Sequence, residues 1–149
     1  VVYAPAVHAL YSARAGGAER IGTDENHRPV DRLGISARVP HTPLMIVASR
    51  SHNTPETDAF IARYEPAERV TVGSSLKFCL LACGAADLYP RMSRTMQWDT
   101  AAGDAVLRAA GGMTRTLDGK PFRYGPGTAP GDAPFANPFF VAEGLSAED

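Results

Sequence analysis

Lys77 is the one charged residue in the otherwise apolar segment 76–83. Leu76, Cys79, Leu80 and Cys83 recur at helical spacing, and Phe78, Leu81 and Ala82 cover most of the remaining surface. This pattern predicts a helix buried nearly all round. A lysine in its first turn lies at the end where the helix dipole already supplies about half a positive charge. With Gly73 and the hydroxyls of Ser74 and Ser75 just ahead of it, the arrangement describes an anion pocket, and phosphate fits it best. The plain alternative is a serine cap, with Lys77 reaching along its alkyl stem to water.

Asp99 precedes Thr100-Ala101-Ala102-Gly103 and reads first as an N-cap for a helix over 100–110. Its functional reading is a carboxylate for a divalent metal, at the head of a small-residue helix whose unpaired N–H groups face a phosphate. Magnesium usually takes a few carboxylates together with waters and substrate oxygens, so one Asp does not complete such a site. Gly103 costs about 1 kcal/mol inside a helix, which points to close approach by another backbone or by a ligand. Arg91 follows a predicted strand and suits forked phosphate contacts, against the alternative of an exposed strand-end arginine. His52 lies at the end of a predicted central strand, where α/β sheets bind ligands; the alternative is a satisfied polar residue. Asp118-Gly119 reads as a turn between short strands. Cys79 and Cys83, four residues apart on one helix face, read as buried reduced thiols rather than a redox pair.

These residues need a scaffold, and the punctuation of the chain supplies one. Residues 1–4 and 9–14 read as strands around Pro5, followed by a Gly16-Gly17 turn. Residues 22–42 are polar and interrupted by Pro and Gly, as in an exposed hairpin or connector. The apolar run 44–49 suits a strand covered on both faces. Thr54-Pro55-Glu56 starts a helix that should run to about Tyr64 and stop before Pro66. Further strands are predicted at 69–72, 86–89, 113–117, 122–124 and 139–142, with the Pro-rich stretch 125–138 as a loop. Gly111-Gly112 should end the helix begun near Asp99. Strands alternating with helices after residue 44 predict an α/β sheet covered on both faces, while the first 20 residues look like a hairpin from another sheet.

The bulk properties exclude several classes. At 149 residues, 44% apolar and 21% charged, the chain can form a core without disulfides. Fifteen Lys and Arg against sixteen Asp and Glu do not describe a general nucleic-acid binder, although they leave room for a local anion site. No run approaches the ~18 apolar residues of a membrane span, and no basic-then-apolar signal opens the chain. The sequence begins directly on Val1-Val2-Tyr3, without Met and already in strand character, so the expectation is a piece of something longer.

Gly73-Ser74-Ser75-Leu76-Lys77-Phe78-Cys79, Ala86-Asp87-Leu88-Tyr89-Pro90-Arg91 and Trp98-Asp99-Thr100-Ala101-Ala102-Gly103 through Ala110-Gly111-Gly112 together resemble the inositol monophosphatase superfamily. Within it, the first two segments are most similar to the bisphosphate nucleotidase branch of the CysQ type. Ser49-Arg50-Ser51-His52 and Asp118-Gly119-Lys120-Pro121 agree with this resemblance. The resemblance implies the C-terminal part of a layered αβαβα fold. Its mixed sheet would be covered by helices over 44–149, with residues 1–43 the remnant of a first antiparallel sheet and a connector. Val1 to Ala6 resembles the segment that follows a second metal motif of the family, which this sequence does not contain. The implied activity is magnesium (Mg²⁺)-dependent removal of the 3'-phosphate of adenosine 3',5'-bisphosphate, giving AMP. Asp99 would be the metal and catalytic carboxylate, also in contact with substrate, and Ser74, Lys77, Arg91 and His52 would be substrate contacts. The resemblance implies a cytoplasmic or peripheral inner-membrane location. It also implies association with the missing upstream half or with a second copy, and little activity from this chain alone. The alternatives are an inositol or sugar monophosphatase of the same superfamily, and a binding module that holds a phosphorylated ligand without turnover.

Overall fold

The structure is a computed structural model that describes residues 1–49, 53–126 and 133–145. Four antiparallel strands, β1 (Val2–Ala4), β2 (Ala9–Arg14), β3 (Gly17–Thr23) and β4 (Pro29–Ile35), form a first sheet in sequential order. Residues 22–42 therefore comprise the end of β3, a hairpin turn, the whole of β4, and a connector that leads on to the second sheet. That sheet has the order β6-β5-β7-β9-β8. β5 (Leu44–Ala48) lies between β6 (Ala67–Thr71) and β7 (Leu88–Arg91), parallel to both, and β9 (Phe140–Glu143) runs antiparallel to β7 and to β8 (Met113–Thr116). The mixed α/β architecture expected from the sequence is present.

Strand alternation sorts the second sheet into two faces. Val47, Tyr89, Phe140 and Ala142 point into the main core, together with residues of α2 (Leu76–Ala82), α3 (Gln97–Ala109) and the first sheet. Ile46, Leu88 and Val141 point the other way, onto Ile61 and Phe60 of α1 (Pro55–Ile61). The layers thus run first sheet, α2 with α3, second sheet, α1. As the sequence predicts, Thr54 caps α1 by accepting from the Thr57 amide and Pro55 occupies the first helical position. A 3-10 turn, Ala62–Tyr64, finishes the helix ahead of Pro66. Cys79 and Cys83 are free thiols, and burial pushes Cys79 up to about 12 and raises Cys83 as well, so neither offers a thiolate near neutral pH. No helix among the described residues is long and apolar enough to cross a membrane.

Three elements differ from the sequence expectation. β7 begins at Leu88 rather than Ala86, and Asp87 just ahead of it still bonds the Met45 carbonyl and the Gly144 amide through its backbone (2.8 and 3.1 Å). Its carboxylate accepts from Arg38 Nε (2.7 Å) and Nη2 (3.0 Å) and from the Met45 amide (2.7 Å). Arg91 ends the strand opposite Phe140 instead of lying beyond it. Residues 122–124 form no strand: the pairing with β8 is a single bridge at Pro121, whose missing N–H cannot extend the ladder. Arg108 then holds the Phe122 carbonyl against α3 (2.6 Å). Finally, α3 begins at Gln97, two residues before Asp99.

Candidate active site

The C-terminal end of β7 and the starts of α2 and α3 meet around a cavity of about 550 Å³. Ser74, Lys77, Arg91 and Asp99 all line it, so four of the five sequence-derived site residues come together. His52 lies outside the described residues. Ser49, Tyr89, Arg94 and Trp98 also line the cavity; Ser49, Tyr89 and Trp98 stand in the segments that carry the resemblance but are not read as site residues from the sequence, which misses Arg94 altogether. Arg94 follows Arg91 by three residues and Trp98 precedes Asp99; neither spacing by itself signals a shared cavity.

Lys77 is not at the surface. Only 3% of it is exposed, its Nζ donates to the Val72 carbonyl (3.3 Å), and the ammonium lies 5.2 Å from the Tyr89 ring centroid. Burial first, and then the like charge of Arg91, pull its pKa down to about 8. Arg91 is 9% exposed, and its Nε has no hydrogen-bond partner among the described residues. Two cations buried close together without a carboxylate between them are costly unless an anion joins them.

The serines do not cap α2. Ser75, its N-cap residue, makes no side-chain capping bond and donates instead to the Asp99 carbonyl (3.0 Å), tying the starts of α2 and α3 together. Ser74 adopts a left-handed backbone, φ 59°, an unfavourable conformation for a residue with a Cβ. The serine-cap alternative and the solvent-reaching lysine are both absent.

Asp99 occupies the third position of α3, and its Oδ2 accepts from the Met96 amide (2.9 Å), the back-reaching half of a capping box. The side chain is exposed to the cavity. The turn that carries it is clamped from two distant segments. Gln97 exchanges hydrogen bonds with Gly125 (2.8 and 2.9 Å), and the Asn137 amide group donates to Thr95 Oγ1, the Met96 carbonyl and Thr100 Oγ1 (2.9, 2.8 and 3.1 Å). Gly103 has a packing role: a Cβ there would lie 2.7 Å from Phe78 Cδ2, so the close approach is by an aromatic side chain, not by a backbone or a ligand. Asp118-Gly119 is the expected turn, with Gly119 at φ 80°.

Asp99 fits as one ligand of a divalent cation. Among the described residues no three His, Cys, Asp or Glu side chains cluster to hold a metal, and Asp99 is the sole carboxylate lining the cavity. A complete magnesium site is therefore not made by the described residues. What the arrangement does provide is a phosphate receptor. The phosphate's second ionisation lies near pH 6, and Lys77 loses its proton near 8. Affinity for a phosphate ligand is accordingly expected to rise through pH 6 and fall above about 8, as the neutral amine stops attracting the dianion. Lys77→Met should weaken binding and flatten the alkaline limb of log Kd against pH; an unchanged limb would remove Lys77 from the site.

Comparison with known proteins identifies the family. The Escherichia coli K12 protein named 3'(2'),5'-bisphosphate nucleotidase CysQ is 41% identical over 142 residues, covering 94% of this chain and 52% of that protein. A Rhizobium leguminosarum bv. phaseoli protein, described as an uncharacterized protein in the pss 5' region, is 59% identical over 86 residues, 58% of this chain and 90% of its own length. The crystal structure of CysQ from Bacteroides thetaiotaomicron superimposes with a TM-score of 0.77 at 34% identity, over 95% of this chain and 56% of that one. The chain thus spans about half the length of the CysQ proteins it matches. The model of the inositol monophosphatase family matches residues 1–138, and it is to this family that the chain belongs.

Proposed function

We propose that this chain is the substrate-gripping part of a magnesium-dependent phosphatase that removes the 3'-phosphate of adenosine 3',5'-bisphosphate, giving AMP. The observation that carries the reading is the cavity itself: Lys77, Arg91 and Arg94 converge on it with Asp99, and none of the three cations pairs with a carboxylate among the described residues. Outside the cavity some cations have such a partner and others, such as Arg14, Arg20, Arg28, Arg63 and Arg123, have none among the described residues; what sets the cavity apart is that its cations converge and that Lys77 and Arg91 are buried. The nucleotide is inferred from what the CysQ relatives are named for.

In this reading Lys77 and Arg91 hold phosphate oxygens, and the Ser74 hydroxyl and His52 add substrate contacts. Asp99 contributes one carboxylate to the metal site, the others coming from outside the described residues. Hydrolysis forms a bond from water oxygen to phosphorus and breaks the ester bond, releasing the 3'-hydroxyl and phosphate. The preorganised positive field of the cavity favours the charge that accumulates on the phosphoryl oxygens. Among the described residues, the first sheet leaves one edge of β1 and one of β4 unpaired. Exposed Val30 and Leu33 lie on β4, and such edges suit pairing with a further segment or a second copy.

Phosphate release from adenosine 3',5'-bisphosphate and from inositol 1-phosphate by the full-length protein tests the reading. Magnesium-dependent turnover of the nucleotide, faster than of the inositol ester, is expected, with little turnover by the 149-residue chain alone. Preference for the inositol ester would shift the reading to an inositol or sugar monophosphatase. Tight nucleotide binding without release would make the protein a binding module.

A further inference from the structure

The chain contains two lysines, Lys77 and Lys120, and their surroundings are opposite. Lys120 stands at an exposed turn, with 79% of its side chain in solvent, and its ion pair with Asp118 (2.7 Å) raises its pKa. Lys77 is buried in the wall of the cavity, and its pKa falls to about 8. A lysine desolvated in this way spends part of its time as the free amine, which is its nucleophilic form. Its Nζ donates to the Val72 carbonyl (3.3 Å), a bond that the neutral amine can keep while its lone pair stays free. Arg91 lines the same cavity, is also nine-tenths buried, and has no partner for its Nε among the described residues. It lies close enough for its charge to act on Lys77. A phosphate bound between the two therefore brings the group it carries next to the Lys77 nitrogen. In an alkyl ester that group offers the amine nothing to attack. In an acyl phosphate the atom beyond the bridging oxygen is a carbonyl carbon. That carbon is one bond from an oxygen the amine would otherwise hydrogen-bond, which brings it near the roughly 3–3.5 Å of a near-attack arrangement.

We propose that Lys77 is an acylation site, modified by small acyl phosphates that the cavity holds through Arg91, and that this modification switches the phosphate receptor off. The Lys77 nitrogen forms a bond to the acyl carbon, and the bond from that carbon to the bridging oxygen breaks. The amine proton leaves with the phosphate, which departs as hydrogen phosphate. Arg91 stabilises the charge that builds on the leaving phosphate, as a preorganised cation does. The product is a neutral amide where an ammonium stood, so Arg91 loses its buried partner in holding phosphate. This rests on the proposed function only for phosphate binding at Lys77 and Arg91; no hydrolytic step and no metal enters.

The test incubates the full-length protein with acetyl phosphate, without magnesium, and follows acetylation of Lys77 and Lys120 by peptide mass spectrometry. Lys77 should react at least about tenfold faster than Lys120 despite its burial, because the free amine is the reactive form. The Lys77 rate should saturate with acetyl phosphate, and inorganic phosphate should suppress it while leaving the Lys120 rate unchanged. Arg91→Gln should slow acetylation of Lys77 by acetyl phosphate more than by acetic anhydride, which carries no phosphate. If that variant does not fold, protection by phosphate in the wild type decides the matter. The acetylated protein, and Lys77→Gln as its neutral mimic, should bind inorganic phosphate at least about tenfold more weakly in calorimetry. Equal rates at the two lysines, faster reaction at Lys120, a Lys77 rate indifferent to phosphate, or undiminished phosphate affinity after acetylation would overturn the proposal. Failure of the phosphatase reading looks different: magnesium-dependent turnover of adenosine 3',5'-bisphosphate would be absent while Lys77 was still acetylated. Turnover without selective acetylation of Lys77 would keep that reading and remove this proposal.

Discussion

Asp99→Asn in the full-length protein is expected to lower phosphate release from adenosine 3',5'-bisphosphate at least about 100-fold, beyond the 10- to 100-fold typical of losing a residue that merely supports a metal ligand. It should leave the melting temperature nearly unchanged. In the proposed function the two readouts separate because Asp99 would have two jobs, capping and metal binding. Its Oδ2 accepts from the Met96 amide, and an asparagine carbonyl can accept the same bond, so the start of α3 survives. What asparagine lacks is the negative charge that a hard divalent cation requires. Asp99→Ala should lose both functions, with an added stability cost of about 0.5–2 kcal/mol from the missing cap. Activity of Asp99→Asn within tenfold of wild type would reduce Asp99 to a capping residue.

Phe78→Ala is expected to cost about 3–5 kcal/mol, the range for truncating a fully buried aromatic, and so to lower the melting temperature by on the order of 10 °C. Phe78 is 1% exposed. Its ring centroid lies 5.2 Å from Tyr89 edge-on and 5.9 Å from Phe140 stacked, and its Cβ and ring pack against the bare backbone of Gly103. Those contacts join α2, β7, β9 and α3, the elements that carry Lys77, Arg91 and Asp99. The same junction predicts that Gly103→Ala overpacks, by about 1–3 kcal/mol. It also predicts that the two substitutions combined cost less than their sum, because removing the ring opens the space that the methyl needs. Thermal unfolding of the single and double variants measures this coupling, and strict additivity would deny the contact its role.

Local signals in the chain were legible wherever the answer depended on neighbours in sequence. Thr54-Pro55 marked the start of α1 because a cap and a fixed φ are short-range effects. Gly111, at φ 94°, marked the end of α3 for the same kind of reason. The strand at 122–124 was not legible, because Arg108 and Gln97, both on α3, decide the path of that segment. The role of Gly103 could be sensed but not assigned: a glycine within a helix announces a close neighbour without saying which one.

By itself the sequence determined the α/β class, the buried helix with a lysine in its first turn, and the family to which the chain belongs. It also singled out Ser74, Lys77, Arg91 and Asp99, which the structure brings to one cavity. Only the tertiary structure decided that Lys77 and Arg91 are buried beside one another, that Arg94 shares their cavity, and that Asn137 and Gly125 fix the turn bearing Asp99. The physical reason is that patterning and capping are short-range, whereas burial, desolvation and charge pairing depend on groups that meet only after the chain has folded. A lysine's position can be read from its spacing; its pKa of about 8 exists only inside the packed core.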